Sequence, residues 1–361
     1  MIQKFRNSIE ILSEKAQVDL TLPQWMACVI GFLLMLNAGN ACSSILETNW
    51  GKKSGPISIV NQAPIQLLFL QAVPDKAETL PKGQGSLSLN TTITNTLLSE
   101  SSGNYEGVVD MEMIRASLEL QYGILQGLEI GMSLPFVYSY SGVMDNTILD
   151  VERFFFDNTR TVRVYQEAGK YEYYVKRENK AFISGKGKRS TGIGDLALRV
   201  KGKIWDEGNI LPCLSTRLAV KVPSGDTDRA LGSGEPDYGF GILLQKDIKR
   251  LTAYLNADVI FPGDAFEDED VSLNEFYEFM LGAEYRICSR LSILAQVNCI
   301  TRPFHHTGLQ MLDRRIYDAL LGINYLTKGG VSIQAGTIED FKHSGNAGAD
   351  ITFFLNVGKD F

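Results

Sequence analysis

The sequence predicts an all-β chain, a transmembrane antiparallel β-barrel of about twelve strands (ten to fourteen). Three observations predict it. Apolar residues recur at every second position through most of the chain from Gly85 onward. The connections between these segments alternate between short and long. The last eleven residues, "ITFFLNVGKDF", keep the alternation to the final residue, Phe361.

Period two is the spacing of a strand with unlike faces. "SLSLNTTITNTL" sets Leu87, Leu89, Ile93 and Leu97 on one face, and "IRASLELQY" sets Ile114, Leu118 and Leu120 against Arg115, Ser117 and Glu119. "LEIGMSLPFVYSY" follows with Leu128, Ile130, Leu134 and Phe136 against Glu129, Gly131 and Ser133. "LALRVKGKIW" and "LSTRLAVKV" repeat the pattern opposite Arg199, Lys201 and Lys203, then Arg217 and Lys221. "YGFGILL", "LTAYLNADVIF", "EFYEFMLGAEYRI", "LSILAQVNC", "IYDALLGINYL" and "VSIQAG" carry it to the terminal strand, where Phe353, Leu355 and Val357 share the face directed at lipid.

Loop lengths separate a barrel from a soluble sandwich. Short connections fall at 125–127, 206–209, 248–250, 289–290 and 327–330. Longer ones fall at 99–106, 141–190, 223–237, 262–274, 303–314 and 341–349. Segregation of length by parity is the layout of an outer-membrane barrel, with turns on the periplasmic side and loops outside. In hydrocarbon every backbone polar group needs a partner within the protein, so only helices and closed barrels cross.

The totals agree. Mean hydropathy is −0.04, too polar for a helical bundle. Acids outnumber bases 42 to 35, which leaves no global basic field to attract nucleic acid. Trp25 to Leu36 is strongly apolar but short for a membrane helix, which needs about 20 residues, and small residues follow at Ala38, Gly39 and Ala41. We read 1–41 as a signal peptide, 42–84 as an N-terminal periplasmic segment or plug, and 85–361 as the barrel. Cys42 stands where a lipoprotein cysteine would, although Gly39-Asn40-Ala41 matches that pattern poorly. Cys213, Cys288 and Cys299 lack metal or redox spacing and read as small apolar fillers.

Charges on the polar strand faces point inward, since an Arg or Lys on the lipid face costs about 2–4 kcal/mol at the midplane. The lumen-lining candidates are therefore Arg199, Lys201, Lys203, Arg217 and Lys221 on one wall, with Glu119, Glu129, Glu278 and Glu284 elsewhere. Two readings stand: opposed charges set a transverse field across an open pore, or they pair and fill a narrow lumen. The loop 141–190 contains "DNTILDVERFFFDN", whose Phe154, Phe155 and Phe156 are candidates for a constriction in the barrel mouth or else pack over its rim, followed by a hairpin read as turning at Ala168-Gly169. "IQLLFL" (65–70) is too apolar to stay solvated, and either plugs the lumen or adds strands.

Catalytic, cofactor and metal residues are not assigned. His305, His306 and His343 have no spacing to a serine or a carboxylate pair. "EDED" (267–270) lacks the ligand spacing of a calcium loop. "GKGKRS" (185–190) reads as a flexible loop or a contact to anionic headgroups.

With these stretches in view, "GPISIVNQAPIQLLFLQAVPDKAETLPKGQGSLSL", "GIGDLALRVK" and "GSGEPDYGFGI" are similar to a family of unknown function among bacterial outer-membrane barrels. That family is distantly similar to the phenol-degradation meta-pathway and long-chain fatty-acid transporter barrels. The latter carry an N-terminal hatch with an Asn-Pro-Ala motif. Asn61-Gln62-Ala63-Pro64 is the nearest match here and departs from it, so the hatch mechanism is not carried over. The resemblance implies an outer-membrane location, lipid and lipopolysaccharide as surroundings, and recognition of the strand ending in Phe361 by the barrel-assembly machinery. The expected function is a passive or gated channel for small polar solutes. The alternatives are a plugged transporter of hydrophobic compounds with a lateral opening, a structural barrel and an outer-membrane hydrolase.

Overall fold

The computed structural model describes residues 53–142, 170–185, 189–267, 271–340 and 348–361. Its strands are β1 (Gly85–Ser102), β2 (Tyr105–Leu125), β3 (Leu128–Tyr140), β4 (Glu172–Arg177), β5 (Lys180–Ser184), β6 (Ser190–Ile193), β7 (Leu196–Trp205) and β8 (Cys213–Val222). They continue with β9 (Asp237–Ile248), β10 (Leu251–Phe261), β11 (Phe276–Cys288), β12 (Leu291–Ile300), β13 (Ile316–Leu326), β14 (Val331–Asp340) and β15 (Ile351–Asp360). Twelve of these close a ring: β1, β2, β3 and β7 through β15, every pair antiparallel and β15 returning to β1.

The seam shows why the chain alternates to its end. β1 and β15 pair from Ser86↔Asp360 to Asn95↔Ile351. Gly85 and Phe361 exchange reciprocal backbone N–H···O bonds of 2.8 Å. Phe353, Leu355 and Val357 are exposed while Thr352, Phe354 and Asn356 are buried, so the odd face looks outward. The same division holds round the ring. Exposed Leu89, Leu118, Ile130, Val200, Leu218, Ile242, Leu255 and Leu281 alternate with buried Asn90, Glu119, Glu129, Lys201, Arg217, Asn256 and Glu284.

Two expectations change. The connection at 99–106 is not a long loop: β1 and β2 run on past the neighbouring strands and turn tightly at Gly103-Asn104. Leu97, Leu98, Val108 and Val109 are buried there, so this hairpin is longer than its alternation suggests. The turn expected at Ala168-Gly169 lies outside the described residues, which hold a different hairpin. β4 pairs with β5 across Glu178-Asn179, whose φ values of 48° and 69° are those of a hairpin turn with two left-handed residues. β4 also joins the top of β2 through Tyr105↔Arg177 to Asp110↔Glu172. Finally, Cys288 is not a free filler thiol but is disulfide-bonded, whereas Cys213 is a free, buried thiol.

Among the described residues no helix is long and apolar enough to cross a membrane.

Candidate functional site: the occupied lumen

Residues 53–84 run through the barrel interior. They rise from the short-turn end, reverse over a 3-10 turn at Gln66–Leu68 and descend to β1. Ile57, Ala63, Ile65, Leu68, Phe69, Leu70 and Ala77 are buried. The segment forms no strand, so its backbone polar groups must find partners on the wall. On the rising leg the N–H of Ile57 donates to Gln296 Oε1 at 2.9 Å, and Asn90 Nδ2 donates to Ser58 O at 2.9 Å. On the descending leg Leu70 N donates to Asp237 at 2.6 Å, Ala72 N to Glu278 at 2.8 Å, Asp75 N to Asn256 at 2.9 Å and Leu80 N to Glu129 at 2.8 Å. Carbonyls are met from the basic wall: Lys221 Nζ donates to Leu68 O at 2.7 Å, and Arg217 Nη1 donates to Val73 O.

The structure therefore brings most of the lumen candidates together around this segment. Arg217 forks onto Asp258 (Nε–Oδ1 2.7 Å, Nη2–Oδ2 2.6 Å). Lys201 lies 2.7 Å from Asp75 of the inner segment and 3.2 Å from Glu129. Lys221 sits between Asp237 at 3.0 Å and Asp195 at 3.2 Å. Arg199 pairs with Glu119 at 2.9 Å. Glu284 accepts from Tyr254 at 2.8 Å and from Ser54 Oγ at 2.8 Å. Lys203 stands apart, bonded to Asp206 at the short-turn end. In a dry interior, paired and hydrogen-bonded charges of this kind replace the hydration they lose.

Two glycines make these contacts sterically possible. A Cβ at Gly241 would lie 1.8 Å from Asp258 Oδ1, and one at Gly131 would lie 2.6 Å from Arg199 Nε. The strands leave out a side chain where a long one must cross.

The top of the segment enters an apolar cluster at the long-loop end. Phe69 meets Phe304, Phe276 and Phe266 at centroid distances of 5.7, 6.2 and 6.4 Å, and Phe182 of β5 meets Phe266 at 5.3 Å. Met311 and Leu312 are fully buried in the same cluster. Below it Arg302 donates to Gln66 Oε1 at 3.2 Å, and burial pulls its guanidinium down to about 10 against the fields of Asp340 and Asp318. Phe154, Phe155 and Phe156 lie outside the described residues; among the described ones, the aromatic closure comes from Phe69, Phe182, Phe266, Phe276 and Phe304.

Beside the inner segment lie two spaces, an upper one against β2 and β3 and a lower one against β1, β2 and β13 to β15, each also touching β7. The upper one, about 790 Å³ with its mouth included, has Met111, Met113, Val137, Leu67 and Phe69 in its wall. The lower one, about 1240 Å³ with its mouth included, is bordered by Lys53, Asp75, Gln121, Asn324, Gln334 and Lys359. Between them Ser117 and Ser133 donate to Glu119 Oε1 at 2.9 and 2.5 Å while Arg199 holds Oε2. Val73 borders both spaces.

Among the described residues, His305 and His306 take no part in this site. His305 and His306 are exposed in the β12–β13 loop, while His343, residues 268–270 and residues 186–188 lie outside the described set. Of the acids in these ion pairs Glu119 and Glu129 were nominated from sequence, whereas Asp75, Asp195, Asp237 and Asp258 were not, although each was visible. Asp195 belongs to "GIGD", Asp237 to "GSGEPDYGFGI" and Asp258 to the polar face of β10.

A family model described as "Protein of unknown function (DUF3187)" matches residues 36–361. The chain belongs to this family. Its match takes in the lumen segment and the whole barrel, so both are parts of one family unit. No curated protein matches the sequence. Among solved structures, the COG4313 outer membrane channel from Pseudomonas putida F1 is similar over 81% of this chain and 100% of that one, at 13% identity and a TM-score of 0.54. At that identity the likeness shows the fold alone, a closed antiparallel barrel of the kind found in that channel. The NanC porin (8% identity, TM-score 0.44, 75% of this chain and 98% of that one) and the Ralstonia pickettii toluene transporter TbuX (11%, 0.39, 86% and 96%) are more distant.

Proposed function

We propose that the chain is an outer-membrane channel held shut by its own N-terminal segment, with a solute route that runs beside that segment. The observation that carries the reading is that two spaces, one against β2 and β3 and one against β1, β2 and β13 to β15, both border Val73 and meet the hydrogen-bonded group of Ser133, Glu119 and Arg199. The lower space opens toward the short-turn, periplasmic end and is lined by polar groups suited to a hydrated solute. The aromatic cluster closes the outer end. This is a gated channel rather than a passive one, because residues 53–84 occupy the lumen from end to end.

The alternative, uptake of hydrophobic compounds, is favoured by one feature: the upper space is walled largely by apolar side chains. An amphipathic solute reconciles the two spaces, its apolar part held above and its polar part handed to the vestibule below.

The test is single-channel conductance of the refolded chain in a planar bilayer, with folding established by a heat-sensitive gel shift. Brief openings that lengthen in Glu119→Gln, which removes the charge Arg199 holds, support the reading. A steady open pore indifferent to that substitution excludes it.

A further inference from the structure

The upper space contains a cation that no other described residue meets with a hydrogen bond or ion pair. Arg115 lies on the inward face of β2, level with Thr92 of β1 and Val137 of β3, and borders the cavity. Every other charge at this cavity has a partner. Lys221 is held by Asp195 and Asp237, and Arg229 at the mouth pairs with Asp226 at 3.2 Å. Glu119, the nearest inward acid along the strand, has both oxygens taken by Arg199, Ser117 and Ser133. No hydrogen bond or ion pair from another described residue reaches the Arg115 guanidinium.

An arginine is always charged, and a guanidinium presents a planar fork that matches a carboxylate. Placed among Met111, Met113, Val137 and Leu67, it makes a cavity with one positive pole and apolar walls. Small-molecule sites have this composition: mostly apolar lining, with few polar groups that fix orientation. We infer that Arg115 anchors a small monocarboxylate whose compact apolar body, about the size of one ring, packs against these walls. One free cation selects a monoanion over a phosphate or sulfate dianion. The apolar walls select against acetate and inorganic anions, which bring no surface to bury.

The location adds a direction. Arg199 lies on β7 in the layer immediately below, so an anion leaving Arg115 toward the vestibule meets a second guanidinium once Glu119 yields it. This inference rests on the proposed route beside the inner segment, since that reading is what makes the cavity a stage of passage.

The experiment is equilibrium dialysis of the full folded barrel in detergent against labelled benzoate, with empty micelles as control and benzyl alcohol, acetate and octanoate as comparison probes. The expected result is saturable 1:1 binding of benzoate, about tenfold or more tighter than benzyl alcohol or acetate. Arg115→Met should reduce benzoate to the level of benzyl alcohol and leave benzyl alcohol unchanged, and Arg115→Lys should fall between. The heat-sensitive gel shift establishes that each variant is folded. Benzoate bound no better than benzyl alcohol by the wild type, or equally well by Arg115→Met, overturns the assignment. Octanoate bound in place of benzoate overturns the compact body given to the ligand. Binding is read at equilibrium on a closed barrel, so a barrel that never conducts can still bind benzoate, and a conducting barrel that ignores benzoate leaves the channel reading in place.

Discussion

Arg217 of β8 holds both carboxylate oxygens of Asp258 on β10 in a planar fork, at 2.7 and 2.6 Å, across the intervening strand β9. Its remaining Nη1 reaches the Val73 carbonyl of the inner segment. One side chain thus ties two wall strands to the segment that fills the lumen. Breaking a buried pair by removing one partner leaves the other charge without compensation, at about 3–5 kcal/mol. Arg217→Met and Asp258→Asn should each lower barrel stability by that order, read as a shift in the urea midpoint of the folded gel band. Gly241→Val should do the same without touching either charge, because its Cβ falls on the Asp258 carboxylate.

Gly131 supplies a separate handle on the partition. A Cβ there would lie 2.6 Å from Arg199 Nε and 3.0 Å from its Cγ, so Gly131→Val should turn the guanidinium away from Glu119. The expected outcome is more frequent opening in bilayer recordings, with a fold as stable in urea as that of Glu119→Gln. Unchanged gating in a folded Gly131→Val barrel would separate the ion pair from the route.

The aromatic closure predicts a third effect. Phe69 is buried and meets Phe266, Phe276 and Phe304 edge-on. Phe69→Ala removes the ring that joins the inner segment to the loops, at a cost of about 3–5 kcal/mol. Limited proteolysis from the outer side of oriented vesicles should then cut near 64–72 in the variant and spare the wild type.

The barrel was legible in the sequence because its physics is local. Strands with one face in lipid must alternate, and Leu87, Leu89, Leu118 and Leu120 do so without exception over their short windows. The inward direction of Arg199, Lys201, Arg217 and Lys221 followed from the same alternation. What those charges touch did not. Their partners Glu119, Asp75, Asp258 and Asp237 lie 80, 126, 41 and 16 positions away, and their pairing depends on strand order and on a segment that belongs to no strand. Residues 57–72 could be read as too apolar for solvent, yet nothing in their spacing distinguished a plug from additional strands. Arg115 was visible on the polar face of β2, but that no other described residue pairs with it is a property of the packed lumen alone.

The chain terminus gives a fourth prediction. Phe361 is 68% exposed, yet its ring lies against Gly85 while its backbone closes the seam. If the terminal aromatic serves the assembly machinery, Phe361→Ala should reduce folded barrel in cells and leave refolding into detergent nearly unchanged. Equal loss in both settings would assign Phe361 to the seam instead.

The measurement that tests the central claim most directly is planar-bilayer conductance of the wild-type chain beside a variant lacking residues 57–72, which form the upper part of the inner segment. The account predicts a nearly silent wild type with brief openings, and a variant with long-lived, salt-dependent steps of larger amplitude. A wild type that conducts steadily at the level of the variant would contradict it, for then residues 53–84 do not close the barrel.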